Sequence, residues 1–265
     1  SLDPSLSEVG AYSASVIASD PDIGLEQRLA AEQSPDGRPA AAILMFGFSA
    51  DALAEAAPNR VGQCVMTCPT TAAFNGLPDA ETFVPLGKHI RFFGDGYQKS
   101  KLLGKRRYWR IPVMDGEFVV DEKLGVAKGV AGGNIILQAV DPATALAAAR
   151  RASEAVRNLA GVIAPFPGGV VRSGSKVVSM YKKLKASTNE AYCPSLRGRV
   201  ETALIEGANA AYEIVVNGVD ENAVARAMRK LIEAAAGEGV LAIGAGNYGG
   251  KLGKFHFHLQ QIAQQ

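Results

Sequence analysis

An α+β fold of two lobes, each built on an antiparallel sheet, follows from three features of this sequence. The second half alternates strand and helix periodicity in the order β-α-β-β-α-β, and both of its helical stretches open on an aspartate N-cap. The first half repeats the strand, helix, strand portion of that order. Such an order gives a split βαβ, ferredoxin-like sheet with both helices on one face. The lobes are expected at residues 1–125 and 126–265, the first lacking its opening strand and helix.

Composition narrows the classes. A chain of 265 residues, 48% hydrophobic and 20% charged, has length and apolar content for two globular cores. A net charge of +2, with no long single-sign run and only a short Lys/Arg cluster at Lys182, Lys183 and Lys185 to weigh, gives no footprint for nucleic acid. No apolar run spans a bilayer. Cys64, Cys68 and Cys193 make neither a disulfide framework nor a CxxC pair, which suits a reducing compartment, with the cytoplasm as the expectation.

The elements follow in order. Tyr12–Ala18 has strand composition, and Pro35 to Pro39 is a turn. Ala40–Phe48 reads as a buried strand, Ser49 as the cap of a helix that Pro58 ends or kinks, and Gln63–Thr67 as a strand. From Pro69 to Glu122 the pattern loosens into an insertion with extended pieces at Arg91–Gln98, Arg106–Val113 and Gly116–Val120. An insertion of that length is a functional surface or a subunit-packing arm.

Order sharpens at Asn134–Val140, a strand, followed by the Asp141-Pro142 helix start. That helix, Ala143–Leu159, turns Leu146, Ala149, Val156 and Leu159 inward. Strands are expected at Gly161–Pro165 and Gly168–Ser173, then a polar linker as far as Ala191. Ala211–Val216 is a strand, Asp220 caps the helix Glu221–Ala236, and Val240–Ile243 is the last strand before the glycine-rich stretch Gly244–Gly250.

Alternation along Ala211–Val216 sets Tyr212, Ile214 and Val216 on one face and leaves Glu213 on the other. A carboxylate there is either a solvated outward residue or a group held in a cleft for proton transfer. Other motifs read more blandly. Gly244 to Gly249 fits G-x-G-x-x-G but precedes the strand-like Lys254–Leu259 instead of a helix, so dinucleotide binding is not expected. His256 and His258 have no nearby carboxylate or cysteine partner, and no metal is expected. Gly174-Ser175-Lys176 lacks the Walker spacing; its role would be to hold an anionic substrate group with backbone N–H groups and Lys176.

Taken together, RVGQCVMTCPT (60–70), FFGDGYQ (92–98), APFPGGVVRSGSKV (164–177), KASTNEAYCP (185–194), YEIVVNG (212–218) and GNYGGKLGKFHFHL (246–259) resemble the formylmethanofuran:tetrahydromethanopterin formyltransferase family, in the same order along nearly the whole chain. The resemblance implies two ferredoxin-like lobes, dimeric or tetrameric assembly, and a strand and helix before Tyr12. The first eleven residues leave no room for these, so an N-terminal piece outside the given chain is expected. It further implies formyl transfer between N5 of tetrahydromethanopterin and the primary amine of methanofuran, both bound as substrates, without metal or nucleotide.

The family's acidic group corresponds to Glu213, which would donate to the oxyanion or shuttle protons between the two amines. Asn247, Lys251, Ser187, Thr188 and Asn189 are candidates for orienting amide and pterin groups, and Phe92, Asp95 and Tyr97 for lining a pterin or furan pocket. Each has a plainer reading as a turn residue or subunit contact.

The style of GKHIRFFGDGYQ and RRYWRIPVMDGEF is similar to that of methylotrophic bacterial members, where the enzyme is a subunit of a formyltransferase/hydrolase complex. Possible partners are therefore further copies of the chain and hydrolase subunits. Two rival classes are an inactive subunit retained for assembly and a ligand-binding module without catalysis. Keeping Glu213, the glycine-rich stretch and the ASTN segment together disfavours both.

Overall fold

The computed structural model describes residues 21–174, 176–177, 179–184, 186–246 and 255–264. It divides into two compact units, Ser1–Lys128 and Gly129–Gln265. The strand expected at Tyr12–Ala18 lies outside the described residues.

The first unit opens with a hairpin, β1 (Asp22–Leu29) paired antiparallel to β2 (Ala40–Phe46), whose connection contains the Pro35 to Pro39 turn. β1 is absent from the sequence reading because a bulge between Leu25 and Gln27 breaks its alternation. β2 was expected to be buried; it is mostly half-buried, and Phe48 beyond it is 97% exposed. Ser49 caps α1 (Ala50–Arg60) by accepting from the Ala52 N–H at 3.1 Å.

The strand expected at Gln63–Thr67 is not one. The chain passes Pro58 inside α1 and widens into a π turn, Val61–Val65, in which the Met66 N–H donates to the Val61 carbonyl at 2.8 Å. Val61 and Val65 mimic strand composition there, so the expected repeat of the second half fails at its third element. The remaining strands make a four-stranded sheet in the order β3 (Ala72–Ala73), β7 (Gly116–Asp121), β6 (Arg106–Val113), β5 (Lys99–Leu103), and a separate pair, β4 (Thr82–Pro85) with β8 (Lys123–Val126). Their core is Leu86, Ile90, Ile111, Phe118 and Val120 with Ala57 of α1.

In the second unit the strands stand in the order β10 (Val162–Ile163), β13 (Ala210–Gly218), β9 (Val130–Ala139), β14 (Val240–Gly244), every pair antiparallel. The helices Pro142–Val156 and Glu221–Ala235 cover one face, and each is capped by its aspartate: Asp141 accepts from the Thr144 N–H at 2.8 Å and Asp220 from the Ala223 N–H at 2.7 Å. That face buries Ile135, Leu137, Ile214 and Val216 against Val224, Met228 and Leu231. The first helix presents an alanine stripe, Ala145, Ala148, Ala149 and Ala152, and ends at Val156, so Leu159 packs from the following turn. Sheet and helix approach closely: a Cβ on Gly133 would stand 2.4 Å from Val224 Cγ1.

Four further expectations change. Gly161–Pro165 shortens to β10, and Gly168–Ser173 is no strand, because Gly168 and Gly169 are left-handed (φ 63° and 74°) and turn the chain before Val171 rejoins the sheet edge as a single bridge to Glu213. The presumed linker holds a short hairpin, β11 (Lys176–Val177) with β12 (Ala186–Ser187), and helical turns at Glu190–Tyr192 and Pro194–Leu196. Residues 255–258 are not a strand either; a helix begins at Leu259, and its Ile262 packs into the core, giving the apolar alternation a helical use.

Candidate active site

Glu213 sits mid-strand on β13 with its side chain on the sheet face away from the helices, and it is 3% exposed. Its strand pairs with β9 in a register that sets Glu213 opposite Ile136 and Asn134 opposite Val215, so Asn134 and Glu213 are diagonal neighbours on one face. Asn134 Nδ2 donates to Glu213 Oε1 at 2.6 Å, and the Gly246 N–H donates to Asn134 Oδ1 at 3.0 Å. On the other side of β13, Val171 and Glu213 exchange backbone hydrogen bonds of 2.7 and 3.1 Å. Glu213 is thereby tied through its carboxyl to Asn134 and through its backbone to Val171.

Polar side chains continue along this face. Gln138 donates from Nε2 to the Ala203 carbonyl at 3.1 Å and accepts at Oε1 from the Ile205 N–H at 2.9 Å, and Asn217 Oδ1 accepts from the Gly132 N–H at 2.9 Å. Buried amides are costly unless paired. Here they fix loops onto the uncovered side of the sheet.

A cleft of about 30 Å³ opens at Glu213, bordered by Arg172, Gly174, Asn189, Tyr192 and Cys193. Gly174, left-handed at φ 58°, lets the Asn189 side chain approach: an added Cβ would meet Asn189 Cβ at 2.9 Å.

Asn189, the last residue of the ASTN segment, and Glu213 therefore border one cleft. Thr188 donates to the Ser173 carbonyl at 3.2 Å, bracing the cleft wall, and Ser187 pairs with Lys176 in the hairpin register. Lys176 is engaged by Glu190, whose carboxyl that hydrogen bond holds below its ordinary value, so the ammonium charge is already matched. Asn247 and Lys251 lie outside the described residues, as do Ser175 and Lys185.

In the first unit Phe92 and Tyr97 are 65% and 78% exposed, while Asp95, left-handed at φ 49°, closes the turn after Arg91–Gly94. The Arg91 guanidinium lies 4.7 Å from the Phe92 ring centre and 4.4 Å from that of Trp109, a cation–π stack that organises this turn. A larger cleft of about 260 Å³ in this unit is bordered by Arg38, Thr70, Thr71 and Asp115. Its charged groups are largely matched internally: Arg38 bonds Asp36 and the Thr70 carbonyl, and Asp115 accepts from the Thr70 N–H. His256 and His258 are exposed, and among the described residues no three His, Cys, Asp or Glu side chains cluster as metal ligands.

Asn134, Gln138, Arg172, Tyr192 and Cys193 are the site residues that sequence reasoning omits. The first two were legible, since polar Asn134 and Gln138 alternate with Ile135 and Leu137 as Glu213 does with Ile214.

Comparison with known proteins finds similarity over most of the chain. A family model described as formylmethanofuran-tetrahydromethanopterin formyltransferase matches residues 2–113, and one described as its proximal lobe matches residues 116–262. The family division precedes the structural one because β7 and β8 hydrogen-bond with strands of the first unit. The formylmethanofuran–tetrahydromethanopterin formyltransferase of Methylococcus capsulatus is 50% identical over 255 residues, covering 95% of this chain and 85% of the relative.

Two solved structures superpose with TM-scores of 0.88. One is the formyltransferase from Methanosarcina barkeri, 43% identical and covering 96% of this chain and 87% of the other. The other comes from the formyltransferase/hydrolase complex of Methylorubrum extorquens with methylofuran, 41% identical and covering 97% and 86%.

Proposed function

The chain belongs to the formylmethanofuran–tetrahydromethanopterin formyltransferase family, and on that premise we propose that it transfers a formyl group between N5 of tetrahydromethanopterin and the primary amine of methanofuran, with Glu213 moving the protons. The observation carrying the role of Glu213 is its burial at 3% exposure beside a cleft that Arg172 and Asn189 border, with one carboxyl oxygen committed to Asn134.

The attacking amine's lone pair forms a C–N bond to the formyl carbon, and the carbonyl π pair moves onto oxygen. The Glu213 carboxyl protonates that oxygen, and the carboxylate so formed takes the proton that the attacking nitrogen sheds. On collapse the original C–N bond breaks, its electron pair leaves on the other amine and takes the proton from Glu213, and the carboxylate recovers the hydroxyl proton as the C=O bond re-forms. One proton leaves a nitrogen and one joins the other, so a single carboxyl that gives and recovers a proton closes the cycle in either direction.

Asn189 offers an amide to the formyl or pterin at the cleft mouth. Asn247 and Lys251 in the glycine-rich stretch, Ser187 and Thr188 around the hairpin, and Phe92, Asp95 and Tyr97 in the first unit remain the candidates for the larger ring systems and acidic tails. Lys176 takes an anionic group only in exchange with Glu190.

The strand order of the second unit, with two helices on one face, supports a ferredoxin-like second lobe. Exposed Met180, Tyr181 and Leu184 support subunit contacts, whether with further copies of the chain or with hydrolase subunits like those of the Methylorubrum complex. No helix among the described residues is long and apolar enough to cross a membrane, and a cytoplasmic setting suits three free cysteines.

Formyl exchange between N5-formyl-tetrahydromethanopterin and methanofuran, followed for parent and Glu213→Gln, tests the assignment. The variant is expected to lose about a hundredfold or more in kcat with substrate binding kept. A variant turning over at the parent's rate rules Glu213 out as the proton carrier.

A further inference from the structure

The proton-transfer reading of Glu213 leaves open what decides which oxygen of its carboxyl bears the proton. The answer comes from a buried residue on the neighbouring strand. Asn134 is 5% exposed and touches two groups of opposite hydrogen-bonding character. The Gly246 backbone N–H can only donate, so the amide oxygen of Asn134 must face it, and the amide NH2 must face Glu213. That NH2 can only donate, so Glu213 Oε1, 2.6 Å away, is held as an acceptor. A proton on the carboxyl is then on Oε2.

Resting on the catalytic reading of Glu213, we propose that Asn134 is a positioning residue that fixes Oε2 as the proton-bearing oxygen and ties the carboxyl to the chain leaving β14 at Gly246. The link runs across the sheet: Glu213 on β13, Asn134 on β9, and Gly246 two residues past the end of β14. Asn134 does not touch the reacting atoms; it acts through Glu213.

Five proteins test this: the parent, Asn134→Leu, Asn134→Asp, Glu213→Gln and the double variant Asn134→Leu/Glu213→Gln. Loss of one hydrogen bond to a carboxyl corresponds to roughly ten- to hundredfold. Asn134→Leu is expected to lose that in kcat with little change in KM. The double variant is expected to be no slower than Glu213→Gln alone, because the positioning has nothing left to position.

Asn134→Asp supplies a readout that mere packing does not move. Ionised, the introduced carboxylate cannot donate to Glu213; protonated, it donates through O–H and still accepts from Gly246. The ratio of its kcat to the parent's is therefore expected to climb as pH falls, while the Asn134→Leu ratio does not climb. Arg172, Tyr192, Cys193 and Tyr212 also border the cleft, and their titration is common to all the proteins and cancels in the ratio.

A parent-like kcat in Asn134→Leu, a multiplied loss in the double variant, or an Asn134→Asp ratio that does not rise would each overturn the inference while leaving Glu213 in place. A Glu213→Gln enzyme at the parent's rate removes the proton-transfer reading, and this one with it. Should Asn134→Leu fail to fold, the near-isosteric Asn134→Asp carries the test alone.

Discussion

The two faces of the sheet in the second unit solve burial in opposite ways. One face presents Ile135, Leu137, Ile214 and Val216 to two helices and is dry and apolar. The other presents Asn134, Gln138, Glu213 and Asn217, all at most 5% exposed, to loops instead of helices. On the first face stability scales with apolar area and tolerates imprecise chemistry; on the second each buried amide or carboxyl costs free energy unless a specific partner meets it. The apolar face makes the sheet stable, and the polar face uses that stability to hold a carboxyl away from water.

That contrast predicts different consequences for damage on either side. The largest stability effect belongs to the helix face: Leu231→Ala, at a fully buried position, is expected to cost about 2–5 kcal/mol in chemical denaturation. The folded fraction is expected to keep the parent's kcat per active site. A comparable loss of kcat in protein still fully folded would mean that the two faces are not separable.

Gln138→Leu sharpens the comparison from the other side. Removing its two hydrogen bonds leaves the Ala203 carbonyl and the Ile205 N–H without their side-chain partner, a cost of about 1–3 kcal/mol. The signature is local: faster amide exchange at Ile205, with Ile214 and Ile135 in the strands unchanged. Uniformly faster exchange across the sheet would make Gln138 a general core residue rather than a loop anchor.

The same contrast explains what could be read in the sequence. Helix caps at Asp141 and Asp220 and the apolar periodicity of Glu221–Ala235 were legible because they depend on neighbours within one or two turns. Glu213 was legible as an exception to alternation. The π turn at Val61–Val65 was not, since its valines match strand composition and only the helical context of α1 decides their state. Nor was the rest of the cleft border: Arg172, Tyr192 and Cys193 reach Glu213 through left-handed glycines and a one-residue bridge at Val171, and no sequence period encodes those.

The smallest effect is expected in the loop layer itself. The pair Lys176 and Glu190 joins the β11–β12 hairpin to the turn that brings Tyr192 and Cys193 to the cleft. The hydrogen bond from Lys176 lowers the Glu190 carboxyl below its ordinary 4.5, so the folded state favours its ionised form. Its contribution is then complete above 4.5 and is lost as pH falls through the lower folded value. Both groups are partly exposed, which keeps the gain small.

Glu190→Gln is therefore expected to melt slightly below the parent at neutral pH. The difference should close in strongly acidic solution, and added salt should narrow it. A gap that persists unchanged in acid would assign the pair's effect to hydrogen-bond geometry instead of charge. Substrate affinity separates the two roles of Lys176: if Glu190→Gln tightens binding of the acidic-tailed substrate, the freed ammonium holds that tail, and Glu190 is its competitor in the loop layer.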